Sequence, residues 1–161
     1  NHPREAVSWH EAMAFCGCLS HRLALAIRLP TEWEWERAAR GTDGRVYPWG
    51  NEYIAGHANI NEISWEAGRH RLGQTSAVGI YPQAASPEGV LDLSGNVWEW
   101  CRNGSGSPVS TDRGGSEKRM LRGGSWLNDR VIARADYREF DPPDGRLDLY
   151  GFRVLCASPI R

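Results

Sequence analysis

Sulfur and imidazole are the groups best suited to redox or metal chemistry, and their spacing in this chain supports neither. The four cysteines are Cys16, Cys18, Cys101 and Cys156. Cys16 and Cys18 stand two apart within a predicted helix, so their thiols face different directions, and no Cys-x-x-Cys or His-x-x-x-His spacing suggests zinc. Three full disulfide pairings are open, which spacing does not rank, and the redox-compartment argument favours reduced, mostly buried thiols. Of the histidines His2, His10, His21, His57 and His70, only His10 and His21 share a predicted element. They are about three turns apart on it, too far to hold one ion.

A different pattern dominates the last quarter of the chain. Arg122-Gly-Gly-Ser-Trp126, Asn128, Ala133-Arg-Ala135, Arg138, Pro143-Asp144, Arg146 and Gly151-Phe-Arg153 form a frame of residues that fix backbone geometry or tie loops together. Between them stand Leu127, Asp129, Val131, Ile132, Tyr137, Glu139, Phe140, Asp141, Gly145, Leu147, Asp148 and Leu149, a set with neither helical nor strand periodicity. The chemistry this alternation offers is recognition: a stiff loop surface displaying interchangeable side chains, with Tyr137, Phe140 and Tyr150 as aromatic anchors. Val131, Ile132, Leu147 and Leu149 could instead fill the core of irregular loops. Trp126 reads as a core pillar, and Arg122, Arg134, Arg138, Arg146 and Arg153 as forks that bind loop carbonyls or carboxylates, with anion binding as the alternative.

Composition sets the bounds. A length of 161 residues fits one domain, and a chain of this size buries roughly 70% of its unfolded surface. A net charge of -1 with interspersed signs gives no electrostatic footprint for nucleic acid or an anionic membrane. No run approaches the length of a membrane span, and Asn1-His-Pro-Arg-Glu5 lacks the order of a secretory leader. Localisation stays open, with the cytoplasm slightly favoured. Eighteen glycines, nine prolines and eight tryptophans indicate ordered loops held by large indoles whose N–H groups can reach loop carbonyls.

Two helices must position the rest. Ser8 with Glu11 is a capping box, followed by Trp9, Ala12, Met13, Cys16, Leu19 and Leu23 as one apolar stripe ending before the turn-like Arg28-Leu-Pro30. Thr31 with Glu34 opens a second helix through Trp33, Trp35, Ala38 and Ala39 to Gly41, which suits a left-handed cap. About forty residues of ordered loop follow, with Trp49, Trp65 and Tyr81 too costly to leave exposed. An alternating strand then places Val97, Glu99 and Cys101 on one side and Trp98 and Trp100 on the other. The polar stretch from Cys101 to Lys118 reads as the most mobile loop. Residues 120–124 and 151–155 read as further short strands, the last returning the C-terminus to the sheet.

Arg28-Leu-Pro-Thr-Glu32, Glu34-Trp-Glu36, Ala38-Ala-Arg-Gly41, Tyr47-Pro-Trp-Gly50, Ala58-Asn59, Val78-Gly79, Leu91-Asp-Leu-Ser-Gly-Asn-Val-Trp-Glu-Trp100, Arg122-Gly-Gly-Ser-Trp126 and Gly151-Phe-Arg153 recur in order across nearly the whole chain. This series resembles the formylglycine-generating enzyme (sulfatase-modifying factor) family. The resemblance implies an α+β, C-type lectin-like domain over 1–161 with two helices, a small twisted antiparallel sheet and long ordered loops. Family members usually carry a strand-rich stretch before the position of Asn1, so the chain is expected to lack its N-terminal part and to pack against an N-terminal domain of the same polypeptide.

The family's oxidases use two cysteines shortly after the Gly-Gly-Ser-aromatic motif to bind copper. The matching positions here are Asn128 and Ala133, which offer no thiolate. Iron-dependent sulfoxide synthases of the family take histidines from a helical domain absent from this chain. The variable proteins of diversity-generating retroelements fit better: Gly73-Gln-Thr-Ser-Ala-Val-Gly79, Trp98-Glu-Trp-Cys101, Ala133-Arg-Ala135 and Val154-Leu-Cys-Ala-Ser-Pro159 resemble that branch. By position, Asp92, Gly95, Val97 and Glu99 match a calcium site of the oxidases, and Asn59 with Ile60 half of a weaker second one; for Glu99 the plain alternative is a strand carboxylate paired with an arginine.

The sequence therefore points to a non-catalytic domain binding a protein or other macromolecule through residues 127–150, with no required cofactor and calcium as the one candidate ion. A copper- or iron-dependent oxidase of the same family is the enzymatic alternative, and a purely structural paralogue a third.

Overall fold

Reciprocal caps start both helices. The Ser8 N–H donates to the Glu11 carboxylate at 2.9 Å and the Glu11 N–H to the Ser8 hydroxyl at 3.2 Å, opening α1 (Trp9–Leu23). Thr31 and Glu34 repeat the exchange at 2.8 and 3.3 Å to open α2 (Glu32–Arg40). Such caps contribute about 1 kcal/mol each. The computed structural model describes residues 1–62, 72–106 and 117–157. Trp65, His70 and most of the polar stretch between Cys101 and Lys118 lie outside them.

Between the helices runs β1 (Ile27–Arg28), where the sequence suggested only a turn. The Ser20 hydroxyl holds it to α1, accepting from the Ile27 N–H at 2.7 Å and donating to the Ile27 carbonyl at 2.8 Å. A 3-10 turn, Pro82–Ala84, interrupts the long middle loop. Four strands form the main sheet in the order β4 (Glu139–Asp141), β3 (Arg119–Arg122), β2 (Trp98–Gly104), β5 (Tyr150–Gly151). The first three are antiparallel as expected, whereas β5 runs parallel to β2. β6 (Leu155–Cys156) pairs with β1 in a separate antiparallel ladder, so the predicted strand over 151–155 is two strands in two sheets.

The alternation of β2 sorts the core. Trp98 and Trp100 join Trp9, Ala12, Cys16, Leu29, Leu121 and Tyr150 on the α1 side, and Cys101 joins Met120, Trp35, Ala39, Leu93 and Ala135 on the α2 side. With a helix on each face, β2 has no solvent side, and six of its seven residues are buried. Indole N–H groups fasten loops as anticipated: Trp9 donates to the Cys101 carbonyl and Trp100 to the Val7 carbonyl, both at 2.9 Å.

Both helical stripes are narrower than predicted. Leu23 is exposed, Leu19 is half-buried, and Phe15 meets Phe152 edge-on at the surface. Beyond Cys16, α1 passes over the two-residue β1, which is too short to cover the helix end. Trp33 is 59% exposed while Trp35 is buried. Positions two apart point to nearly opposite sides of a helix, so only one indole could face the sheet.

At the centre, buried Glu99 accepts three bonds from two residues. Trp35 Nε1 donates to Oε2 at 2.6 Å, Arg153 Nε to Oε2 at 2.5 Å, and Arg153 Nη2 to Oε1 at 2.6 Å. Arg153 also donates to the carbonyls of Leu91 and Asp92 at 3.1 Å. Pinning Arg153 inward at this point separates β5 from β6. The turn entering β2 depends on Gly95, whose φ is +77° and whose Cβ would lie 2.3 Å from the Asn59 carbonyl oxygen.

Replacing Gly95 by alanine therefore combines a left-handed φ with a backbone clash. Gly95→Ala is predicted to cost at least about 2 kcal/mol, which calorimetry should read as a fall in Tm of roughly 4 to 8 °C. A second prediction concerns acid. Arg28 forks onto Glu34 at 2.5 and 2.6 Å and holds its carboxyl at about 2, against an ordinary 4.5. A depressed carboxyl stabilises the fold fully above its unfolded value and loses that effect as pH falls through its folded value. Glu34→Gln should lower Tm at pH 7, and the gap to the wild type should close between about pH 4.5 and pH 2.

Candidate recognition face

The backbone of residues 127–149 is pinned at intervals by groups outside the twelve displayed positions. The Asn128 carbonyl accepts from the Asn61 N–H at 2.8 Å, the Arg130 carbonyl from the Tyr47 hydroxyl at 2.9 Å, and the Ala133 carbonyl from the Ser94 hydroxyl at 2.8 Å. Buried Arg122 spreads its guanidinium over the carbonyls of Ala135, Asp136 and Tyr137 at 2.9 to 3.2 Å and pairs with Glu36 at 2.6 Å. The Pro143 carbonyl accepts from the Trp9 N–H at 3.1 Å, and the Leu149 carbonyl from the Trp98 N–H at 2.7 Å. Gly124, with φ +73°, lies so close to the Ala133 backbone that a Cβ there would sit 3.1 Å from the Ala133 Cα.

None of the twelve displayed residues is fully buried. Leu127, Asp129, Val131, Phe140, Leu147 and Asp148 are exposed. Ile132, Tyr137, Glu139, Asp141, Gly145 and Leu149 are intermediate. Ile132, Tyr137 and Leu149 pack on the Trp98 cluster from separate parts of the loop, which ties those parts to one core. Of the four residues that could have been loop core, Val131 and Leu147 are thus on the surface, and Ile132 and Leu149 are half in. Two of the four displayed carboxylates bind within their own turns: Asp129 Oδ1 accepts from the Val131 and Ile132 N–H groups, and Glu139 Oε1 from the Phe140 N–H, while Asp141 accepts from the Tyr150 hydroxyl. Residues 139–141 form the edge strand β4, which their lack of alternation hid.

Arg122, Arg134, Arg138 and Arg153 act as forks, as anticipated, whereas exposed Arg146 makes a single ion-pair contact. Arg134 pairs with Asp136 at 2.7 Å, Arg138 with buried Glu32 at 2.8 Å, Arg146 with Glu11 at 3.1 Å, and Arg153 with Glu99. Trp126 is only half-buried and is not a core pillar. Three contributors to the face fall outside the twelve: exposed Arg130, exposed Asp144, and Lys118, whose ammonium lies 5.1 Å from the Phe140 ring. Adjacency to Asp129 and Val131 could have flagged Arg130; Lys118 is distant in sequence and gave no such signal.

The two oxidase positions are built for structure. The Asn128 side-chain oxygen accepts from the Ser125 N–H and hydroxyl at 3.0 and 2.6 Å, and Ala133 is fully buried against Ala58 and Ile60. All four cysteines are free thiols; burial pushes those of Cys16 and Cys101 above their ordinary range, and exposed Cys18 and Cys156 stand on α1 and β6. Among the described residues no group of three or more His, Cys, Asp or Glu side chains could hold a metal.

Asp92, Gly95, Val97 and Glu99 do line one cavity of about 250 Å³, together with Arg153. They do not fit calcium. Both Glu99 oxygens already accept from Arg153, so an ion there would face a guanidinium, and Asp92 Oδ2 accepts from the Gly79 N–H at 2.7 Å. The arginine pairing is the arrangement found. At the second position Ile60 is core, and Asn59 donates to the Gln74 carbonyl and to the Asn96 side-chain oxygen. Most of the stretch that would complete that site, between Glu62 and Thr75, lies outside the described residues. No helix among those residues is long and apolar enough to cross a membrane.

Comparison with known proteins matches residues 1–158 to the sulfatase-modifying factor enzyme 1-like domain. The chain is 38% identical to inactive C-alpha-formylglycine-generating enzyme 2 of Mus musculus, over 94% of this chain and 47% of that protein. It is 35% identical to the formylglycine-generating enzyme of Thermomonospora curvata, over 98% of this chain and 56% of that protein. The chain thus spans about half the length of the curated relatives it matches. Treponema denticola variable protein 1 superposes with a TM-score of 0.81 at 25% identity, over 98% of this chain and 72% of that structure. With its two helices, small sheets and long pinned loops, the chain belongs to the sulfatase-modifying factor enzyme 1-like domain family and has that family's C-type lectin-like α+β fold.

Proposed function

We propose that this chain is a non-catalytic recognition domain of the retroelement-diversified kind, which contacts a protein or other macromolecule through the face of residues 127–149 and needs no cofactor to do so. The observation carrying this reading is the division of labour in that stretch. Arg122 and residues from elsewhere in the fold hold the backbone, while Leu127, Val131, Phe140 and Leu147 project apolar side chains about half exposed to water. A loop held by its backbone loses little conformational freedom on association, so changing a displayed side chain alters affinity without refolding the support.

The family's oxidase chemistry is the rival reading, and the residues oppose it. An asparagine already satisfied by Ser125 and a packed alanine hold the two positions where the resemblance requires thiolates. Similarity to an inactive paralogue and to a variable protein supports the same side, while similarity to an active enzyme keeps the rival testable.

Two measurements check the proposal. Sequencing the DNA around the gene should find a near-copy of the segment encoding residues 127–149, differing at adenines, beside a reverse transcriptase gene; absence of both rejects diversification. The purified chain with Cu(I) or Fe(II) and a cysteine-containing peptide should consume no oxygen above the metal-only background. Metal-dependent turnover with an oxidised peptide product would overturn the non-catalytic reading.

A further inference from the structure

The charges of the displayed face are distributed in a way the chain's net charge of -1 conceals. Residues 127–149 hold the arginines Arg130, Arg134, Arg138 and Arg146. Three are matched by carboxylates: Arg134 by Asp136, and the other two by residues outside the stretch, Arg138 by Glu32 and Arg146 by Glu11. Arg130 lies over the Tyr53 ring, 5.8 Å from its centre. Against it stand Asp129, Glu139, Asp141, Asp144 and Asp148, none within ion-pair distance of a base among the described residues. Two further bases lie beside the stretch among the described residues: Lys118 over Phe140, and buried Arg119 opposite Asp141 in the β3–β4 ladder.

Borrowing Glu11 and Glu32 to neutralise its own arginines leaves Asp129, Glu139, Asp144 and Asp148 without an ion pair among the described residues, interleaved along the stretch with exposed Leu127, Val131, Phe140 and Leu147, while Asp141 accepts from Tyr150. We infer that the partner of this face is a basic, apolar polypeptide segment, one that presents lysine or arginine beside aliphatic or aromatic side chains. This rests on the recognition reading above and narrows it. The sign disfavours phosphate-bearing partners, because nucleic acid and anionic lipid would both meet unpaired carboxylates. The apolar side chains supply the buried contact, and the carboxylates steer and orient a cationic partner.

Panning a random dodecapeptide library on phage against the immobilised chain tests this. Recovered peptides should be enriched in Lys or Arg next to Leu, Ile or aromatic residues. As synthetic peptides they should bind about tenfold more weakly to a Glu139→Gln, Asp144→Asn, Asp148→Asn variant, and more weakly in 0.5 M than in 0.05 M NaCl. A control with Glu52→Gln and Glu88→Gln should bind as the wild type does, and unchanged thermal unfolding of both variants shows that the fold is retained. Peptides that lose binding to a Leu127→Ser, Leu147→Ser variant but carry no basic bias, or ignore the charge variant, overturn this inference and leave the recognition reading standing. Recovery of no peptide sensitive to any substitution on the face overturns both.

Discussion

A carboxylate placed in the middle of a buried strand is costly unless it is neutralised, and Glu99 organises the molecule around that requirement. Trp35 brings α2 to it, and Arg153 brings the chain between β5 and β6. Through its second set of bonds Arg153 also holds the Leu91 and Asp92 carbonyls just before the β2 turn. Across the β2–β3 ladder Arg122 stands opposite Glu99, and its guanidinium lies 5.3 Å from the Trp35 ring. One carboxylate, one indole and two arginines thus connect the second helix, the central strands and the C-terminal return. The guanidinium supplies the positive charge that the resemblance to the oxidases had assigned to calcium.

The same network sets the properties of the displayed loop. The two terminal amino groups of Arg122 donate to three consecutive carbonyls, so the loop's course is dictated by a residue that is itself buried and paired with Glu36. Other carbonyls are met by Tyr47, Ser94, Asn61, Trp9 and Trp98. Ile132, Tyr137 and Leu149 between these fixings pack on the Trp98 cluster, but the exposed side chains carry little of the fold. Asp129 and Glu139 bind only their own turns, and the apolar residues at 127, 131, 140 and 147 stand about half exposed. A rigid path and undemanding side chains are the physical conditions for varying a surface without losing its support.

Features governed by local chemistry were legible in the sequence. Both capping boxes, the two-sided alternation of β2, the indole-to-carbonyl bonds and the arginine forks follow from groups whose needs are met over short distances or in only one way. Features set by length and neighbours were not. β4 has three residues and no alternation to detect, and whether residues 151–155 form one strand or two depends on where Arg153 finds Glu99, far away in sequence. Leu23 obeys helical periodicity and yet faces water, because β1 beneath α1 ends before the stripe does, and Trp33 stands two places from Trp35, so the two indoles could not share the buried side. Asp144 passed as frame beside Pro143, although only the proline carbonyl is an anchor. The face was thus readable as a pattern, but its charge was not, since Arg138 and Arg146 find their carboxylates on the two helices.

The central claim is that support and display are separable. It is tested most directly by thermal unfolding of a pool in which Leu127, Asp129, Val131, Phe140, Leu147 and Asp148 are randomised together, set beside a pool randomised at Glu99, Arg122 and Arg153. Substitutions at exposed positions change stability by about 0.5 kcal/mol each, so most members of the first pool should unfold within about 5 °C of the parent, and most of the second should not fold. A first pool as damaged as the second would contradict the account.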